Sequence, residues 1–482
     1  MSTNPVTGAE AGRFPVADAA AVAAALDRAR AAQAWWWELG YDGRRERLLR
    51  WRSLLAKRLS ELTGLMHLEG GKPFADALTE FAVALDHISW SARNAKRVLR
   101  PRRVGGNLLL AEFRARLEYL PFGVIGVIGP WNYPITTPMG SITYALAAGN
   151  AVLFKPSEYS PAVGQWYVDR FAEVVPEHPV LQAVHGAGET GAHLVRSGVD
   201  KVAFTGSPGT ARKIMAACAE NLTPVLIEGG GKDAMIVDTD ANVDLAAQMC
   251  VWGAMTNAGQ SCIGMERAYV AAPVYDAFVD RVVHHASALK VGSAAEANIG
   301  PITMPHQVDV IRRHITDALA RGGRAVLGGA EAVQPPFVMP TVLVDVPEDA
   351  PAVREETFGP VITIKKVADM DEAVRLSNAV SYGLGASVFG KARAASVARR
   401  LRTGMVSVNG VFTVAGVPSL PFGGVGDSGF GRIHGDDGLR EFARAKSYAI
   451  RRGPSPLPLT TYKRKPRHVK LLERVVRAVH GR

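Results

Sequence analysis

Cys262 stands in the run Asn257 to Met265, NAGQSCIGM, among small and polar neighbours, whereas Cys218 and Cys250 sit in alanine-rich and amphipathic helical stretches. A thiolate nucleophile needs access and a nearby base or dipole, and a structural cysteine needs only apolar neighbours; taken alone, the segment fits either use. Upstream, Glu228 closes a strongly apolar run just before three glycines in LIEGGGKDAMIV. Burial there would raise the carboxyl pKa toward neutrality, which suits a general base that activates water; a capping or ion-paired glutamate is the other reading. Three cysteines without Cys-x-x-Cys spacing support neither a disulfide framework nor a structural zinc site, so no metal is expected and a reducing compartment fits.

Two glycine turns are candidates for a dinucleotide. In VHGAGETGAHL, Gly186, Gly188 and Gly191 satisfy G-x-G-x-x-G after an apolar run and before a helical stretch, a pattern that an ordinary strand-to-helix turn also produces. In FTGSPGT, Gly206 allows close backbone approach and Ser207 can cap a helix beginning at Pro208, leaving backbone N–H groups for a pyrophosphate.

These residues need a scaffold, and the rest of the chain describes one. With 482 residues the chain exceeds the size at which a single core splits, about 250 to 300 residues. Its 48% hydrophobic and 21% charged content is that of a globular protein and excludes a disordered chain. Helical spacing dominates Ala19 to Trp37, Arg44 to Leu62 and Phe74 to Leu99. From Glu118 onward, short β-branched runs cut by Gly or Pro recur at Ala151, Val180, Lys201 and Val225, and a second series runs from Ala234 to about Asn409. Strands alternating with helices predict two α/β domains built on parallel sheets. The alternating stretch Asn107 to Tyr119 predicts an exposed hairpin. Trp35, Trp36 and Trp37 cannot share one helix face and are assigned to packing, and His284-His285 to solvent.

The segments PWNYP, FKPSEYSP, FTGS, EGGGK, GQSC, EETFGPV, YGLGASVF and PFGGVGDSGFGR occur in the order and approximate spacing of the NAD(P)-dependent aldehyde dehydrogenase superfamily. Nearly the whole chain resembles that family, most closely its bacterial semialdehyde and fatty or aromatic aldehyde branch. The resemblance implies an α/β fold with a Rossmann-type cofactor domain (residues 1–106 and 120–229), an α/β catalytic domain (230–418), a small β oligomerisation arm (107–119 and 440–452) and a basic amphipathic tail (453–482). It implies oxidation of an aldehyde to a carboxylic acid, with NAD as cofactor and NADP as the alternative. By the same resemblance Cys262 is the nucleophile, Asn132 an oxyanion donor with the Cys262 backbone N–H, and Glu228 the base that activates water. Lys155 matches the residue that binds the adenosine ribose. Glu356 and Phe358 match the pair that positions the nicotinamide ribose and ring, and Gly206 and Ser207 the phosphate turn, while Ile128, Pro130 and Trp131 line the same cleft with Gly188 and Gly229 beside it. Glu158, three residues beyond Lys155, is placed to accept from the ribose 2′-hydroxyl and to repel a 2′-phosphate, which favours NAD.

Departures from the family pattern carry their own expectations. Gly229 replaces a leucine, which loosens nicotinamide packing, and Ala211 replaces a glycine at a helix start at little cost. Gly140 stands where some relatives carry a bulky aromatic, which predicts a wider or longer substrate tunnel. A cysteine hydrolase, a CoA-acylating dehydrogenase and a non-catalytic protein on this scaffold are the competing classes. Glu228 argues against the first two, and the intact Cys262, Glu228 and Asn132 against the third.

Net charge is +11, but Arg451 to Arg482 alone carries ten Lys or Arg and one Glu, so the body is nearly balanced and no nucleic-acid cleft is expected. His468 to His480 places Val469, Leu472, Val475, Val476 and Val479 on one helical face and Lys470, Arg474 and Arg477 around the other. Such a helix either packs its valines on a partner subunit or makes weak peripheral contact with an anionic membrane. The N-terminal sequence lacks a secretory pattern and no stretch reaches the ~20 apolar residues that span a bilayer, so the expectation is cytoplasm, with the inner membrane surface as the tail's alternative site. A homodimer or homotetramer is expected from the arm.

Overall fold

A computed structural model describes residues 1–106, 110–455 and 461–481. In it the β-branched runs become two parallel-rich sheets. Val124–Ile128, Ala151–Lys155 and Lys201–Thr205 are almost wholly buried, as expected of strands covered by helices on both faces. The first sheet runs in the order Gly429–Phe430, Val225–Glu228, Lys201–Thr205, Val124–Ile128, Ala151–Lys155, Leu181–Ala183, with only the Gly429–Phe430 edge antiparallel. Chain order reverses between Val124–Ile128 and Lys201–Thr205, and in doubly wound sheets ligands bind beyond the carboxyl ends of the strands at such a switch point. Ile128, Lys155, Thr205 and Glu228 are those carboxyl ends.

The second sheet orders Arg324–Leu327, Thr341–Val344, Val361–Val367, Met265–Ala271, Asp233–Val237, Ala386–Phe389 and Ser407–Val408, antiparallel only at Arg324–Leu327. Its central strands begin immediately after the segments with chemistry: Met265 follows the Cys262 loop and Val361 follows the EETFGP run. The carboxyl ends of one sheet and the amino ends of the other are therefore joined by the short linker from Glu228 to Asp233.

Four helices, Ala19–Glu38, Gly40–Lys57, Leu59–Gly70 and Phe74–Leu99, pack on the first sheet. Trp36 and Trp51 are fully buried against Phe171, and Trp36 Nε1 donates to the Leu146 carbonyl at 2.8 Å, so this part of the tryptophan run is core.

The predicted hairpin differs from the structure. Phe113–Pro121 pairs over nine residues with Ala443–Arg451, more than 300 positions later, and more briefly with Arg102–Arg103. Alternation marks a half-exposed strand without naming its partner; residues 107–109 of that stretch lie outside the described residues. The tail helix spans Pro466–His480 and buries none of its residues; residues 456–460 of the linker before it also lie outside the described residues. Among the described residues no helix is long and apolar enough to cross a membrane.

Candidate active site

The loop that carries Cys262 is held by its own amides. After the helix Val243–Met255 the backbone turns through left-handed conformations at Asn257 (φ 52°), Ala258 (φ 57°) and Gly259 (φ 72°). Gln260 then locks the turn, its side-chain Nε2 donating to the Asn257 carbonyl at 2.9 Å and the Pro301 carbonyl at 3.2 Å. Cys262 remains partly exposed at the wall of a cavity while Cys218 and Cys250 are buried. Enough protein surrounds its sulfur that burial, with Glu228, Glu356 and Asp233 nearby, pushes the thiol well above its ordinary value. At neutral pH the resting group is a thiol.

Glu228 lines the same cavity and is 3% exposed. Its Oε1 has no hydrogen-bond partner among the described residues, so neither a capping nor a paired role accounts for it. Burial pushes its carboxyl up to about 8, against the pull of Arg432 and with a further push from Glu441.

The three glycines after Glu228 are explained by what converges on them. A side chain on Gly229 would collide with the Asp427 carbonyl, one on Gly230 with the Glu356 carboxylate, and one on Gly231 with the Cys262 carbonyl. Gly229 therefore does not loosen the wall: the backbone at Asp427 and Ser428 fills the space, and Gly229 N–H donates to the Ser428 carbonyl at 3.0 Å. The Glu356 carboxylate accepts from Gly231 N–H at 2.9 Å, and burial first, then Glu266, push it up to about 8.

Asn132 is buried, and its Nδ2 donates to the Gln260 carbonyl at 2.9 Å, which ties the PWNYP turn to the Cys262 loop. The sequence reading missed the residues that complete this tie. Lys72 Nζ donates to the Asn132 carbonyl at 2.7 Å and is ion-paired with Glu80 in the interior. Glu80 also accepts from the backbone N–H groups of Ile135 and Thr136 at 2.9 and 3.2 Å, and Asn257 Nδ2 donates to the Asn132 carbonyl at 3.0 Å. Lys72 in GGKPF had only one available signal, a lysine between two glycines and a helix start.

The predicted cofactor residues lie along the carboxyl ends of the first sheet, some at the switch point and some toward its edge. Ile128 ends its strand and leads through Pro130 to Trp131, whose ring lies edge-on to Phe358 at 5.6 Å and to Tyr159 at 6.4 Å. Phe358 is held by a carboxylate, since Glu266 accepts its backbone N–H and that of Thr357 at 3.0 Å and is itself paired with the buried Lys232. On the far side of Trp131, Lys155 donates to the Pro156 and Gly186 carbonyls at 2.9 and 2.8 Å and lies 3.8 Å from the half-exposed Glu158. Gly206 and Ser207 form the turn at the switch point, with Ser207 capping the helix Pro208–Glu220 through Thr210 N–H. Gly188 begins the helix Gly188–Arg196 beyond the edge strand, so the G-x-G-x-x-G turn sits at the sheet edge beside Lys155 and not at the switch. A side chain on Gly188 or Gly209 would meet nothing within 4 Å, so the backbone is open at both helix starts. An open crevice with two helix N-termini, an internal lysine and an aromatic wall fits a dinucleotide.

Beside this crevice, Cys262 and Glu228 face a cavity of about 340 Å3. Its wall is largely apolar, with Val83, Trp252, Val411, Phe412, Phe422 and Ile433, and among the described residues it includes no lysine or arginine. Gly140 does not open it: a side chain there would lie 2.7 Å from His434 Nε2 and Ile433 Cδ1, so those two residues already occupy the space that the missing side chain leaves.

The sequence matches the Aldehyde dehydrogenase family over residues 1–448. It is 37% identical over 459 residues to the 4,4′-diapolycopene aldehyde oxidase of a Methylomonas species, which spans 94% of this chain and 86% of that protein. The fold is similar to an NAD-dependent aldehyde dehydrogenase from Sinorhizobium meliloti, with a TM-score of 0.90, 31% identity and coverage of 95% and 92% of the two chains. It is also similar to an NADP-dependent enzyme of Escherichia coli, with a TM-score of 0.89, 32% identity and coverage of 93% and 94%.

Proposed function

Since the chain belongs to the aldehyde dehydrogenase family, we propose that it oxidises a neutral, largely apolar aldehyde to its carboxylic acid through a thioester on Cys262. The observation that carries this is the shared cavity, which sets a thiol and an unpartnered buried carboxyl against one apolar wall. The Cys262 sulfur attacks the aldehyde carbon, the C=O pair moves onto oxygen and the S–H proton passes to solvent water, which gives the thiohemiacetal in its alkoxide form. Asn132, pinned to Gln260, and the Cys262 backbone N–H serve the developing oxyanion. NAD(P), when bound, supplies the hydride acceptor. Loss of hydride from the substrate carbon leaves the Cys262 thioester, and Glu228 takes a proton from the water that hydrolyses it, releasing the acid and the thiol. Lys155, Glu158, Gly188, Gly206 and Ser207 hold the adenosine and phosphate end of the dinucleotide. Ile128, Pro130, Trp131, Gly229, Glu356 and Phe358 hold its nicotinamide end, and in this reading residues 1–106 and 120–229 form the cofactor domain and 230–418 the catalytic one.

The substrate reading follows from charge. A substrate carboxylate would be desolvated against a wall that, among the described residues, offers it no lysine or arginine, and the nearby Lys72 is already committed to Glu80, so nothing there repays the cost. An apolar aldehyde loses nothing on entry, and the Methylomonas relative is named for a large apolar one. Medium-chain alkanals should accordingly give a higher kcat/KM than succinate semialdehyde, with NAD preferred to NADP. Glu158→Ser should narrow the cofactor preference by about tenfold, the scale of one charge repulsion in a half-exposed site. Dependence on a carboxylated substrate, or a native preference for NADP, would overturn these assignments.

The strand pair Phe113–Pro121 and Ala443–Arg451 is proposed as the arm that joins subunits into a homodimer or homotetramer. The tail helix exposes Val469, Leu471, Val476 and Val479 beside Lys470, Arg474 and Arg477, with Glu473 as its one acidic residue. That charge complements an anionic lipid surface, where each cation contributes roughly 1 kcal/mol. The protein should sediment with anionic vesicles at low salt and release at high salt, and a chain ended at Pro454 should lose the binding. A truncation that kept vesicle binding but dissolved the oligomer would assign the helix to subunit packing instead.

A further inference from the structure

His434 lines the cavity with Cys262 and Glu228, yet the reaction outlined above gives it no task. It is 2% exposed, and neither ring nitrogen has a hydrogen-bond partner among the described residues. Its backbone, at φ 61° and ψ 166°, lies in a region that is essentially glycine's alone. A strained backbone and an unpaired buried imidazole are two separate costs at one residue, and such costs persist at ligand-binding positions where the surrounding structure enforces them.

The surroundings do enforce it. Gly140 leaves the room into which the His434 ring fits, since any side chain there would strike Nε2. The ring stacks on His87 at 3.7 Å between centroids, with Phe422 and Tyr144 at 5.6 and 5.8 Å. His87 Nε2 lies 3.0 Å from the Ala415 carbonyl, so its proton is committed away from His434. Burial, with the neighbouring His87, lowers the basicity of His434 and keeps it neutral, so it offers one N–H donor and one acceptor. The nearby acids are already engaged, Asp76 by the Asn257 N–H and Glu80 by Lys72. A neutral donor and acceptor in an apolar wall that holds no lysine or arginine among the described residues suits an uncharged oxygen.

We propose that His434 is a specificity-determining residue that hydrogen-bonds a neutral hydroxyl or carbonyl oxygen on the aldehyde's chain, away from the carbon that Cys262 attacks. This rests on the aldehyde dehydrogenase reading and deepens it: the substrate is an oxygenated apolar aldehyde. An oxygenated substrate would supply the hydrogen bond that His434 otherwise lacks, a gain that the plain analogue cannot make.

The test compares kcat/KM for straight-chain alkanals and equal-length hydroxyaldehydes with the hydroxyl at successive positions. The wild-type enzyme should favour one hydroxyl position by about tenfold or more over the plain alkanal. In His434→Gly, which adopts this backbone conformation without strain, the ratio should fall to near one while alkanal oxidation persists. His434→Asn, which tolerates positive φ and keeps a donor and an acceptor, should retain part of the preference. Equal ratios in wild type and His434→Gly, with both enzymes active on alkanals, would overturn the assignment and leave the dehydrogenase reading intact. A wild-type protein that oxidised no aldehyde at all would overturn both.

Discussion

Cys262→Ala is expected to lower aldehyde oxidation by on the order of 10^4-fold or more, because no other group at the cavity can form the carbon–sulfur bond on which the sequence of steps depends. Cys218 and Cys250 are buried in separate helices, and Cys262 alone among the cysteines reaches the cavity. The substitution removes one partly exposed sulfur, so thermal stability should change little and cofactor binding, followed by fluorescence quenching, should persist. Turnover within tenfold of wild type would show that the sulfur is not the nucleophile. Loss of cofactor binding together with activity would point instead to collapse of the loop that Gln260 and Asn257 hold.

Glu228→Gln should separate the two halves of the reaction. With the thiol and the cofactor cleft intact, a burst of one NADH per site should form quickly, followed by turnover slowed about 10^2- to 10^4-fold as the thioester waits for an unassisted water. Acid quenching should trap the acyl group on Cys262. The carboxyl sits at about 8, so its basic form is scarce at pH 6 and grows toward pH 9; wild-type hydrolysis should rise over that window and the variant's should not. Stability carries the opposite sign. A carboxyl held above its ordinary value binds its proton more tightly in the folded state, so Glu228 makes the wild type lose stability as pH rises from about 4.5 through 8, and the variant, which keeps Glu356 but lacks this carboxyl, should lose less. Equal thermal shifts for both proteins between pH 5 and 9 would contradict the buried, unpartnered placement of Glu228.

The sequence carried the strands well because a buried parallel strand is a local fact: four or five β-branched or aliphatic residues ended by Gly or Pro mark it, as at Val124–Ile128 and Ala151–Lys155. Cys262 and Glu228 were legible because each lies in a short segment whose composition departs from its surroundings, whereas Glu356 entered only through the family resemblance. Alternation by itself did not carry the pairing of Phe113–Pro121, since it specifies faces and not the strand alongside, and only the family resemblance put 107–119 and 440–452 in one arm. Nor did the sequence reveal Lys72 and Glu80, whose role depends on two helices and a turn brought together from separate positions.

What the sequence determined by itself is thus the chemical inventory and the local elements: a thiol and a carboxyl in distinctive settings, glycine turns after buried strands, a basic amphipathic tail. Only the tertiary structure decided how those groups behave. The Glu228 pKa is set by its burial, with Arg432 pulling it down and Glu441 pushing it up, and the need for three consecutive glycines by the convergence of Glu356, the Cys262 carbonyl and the Asp427 backbone. Gly140 shows the difference most plainly. In one dimension a missing side chain reads as added space, but packing to near-crystalline density leaves no such gap unfilled, and the chain nearly 300 residues later puts Ile433 and His434 there.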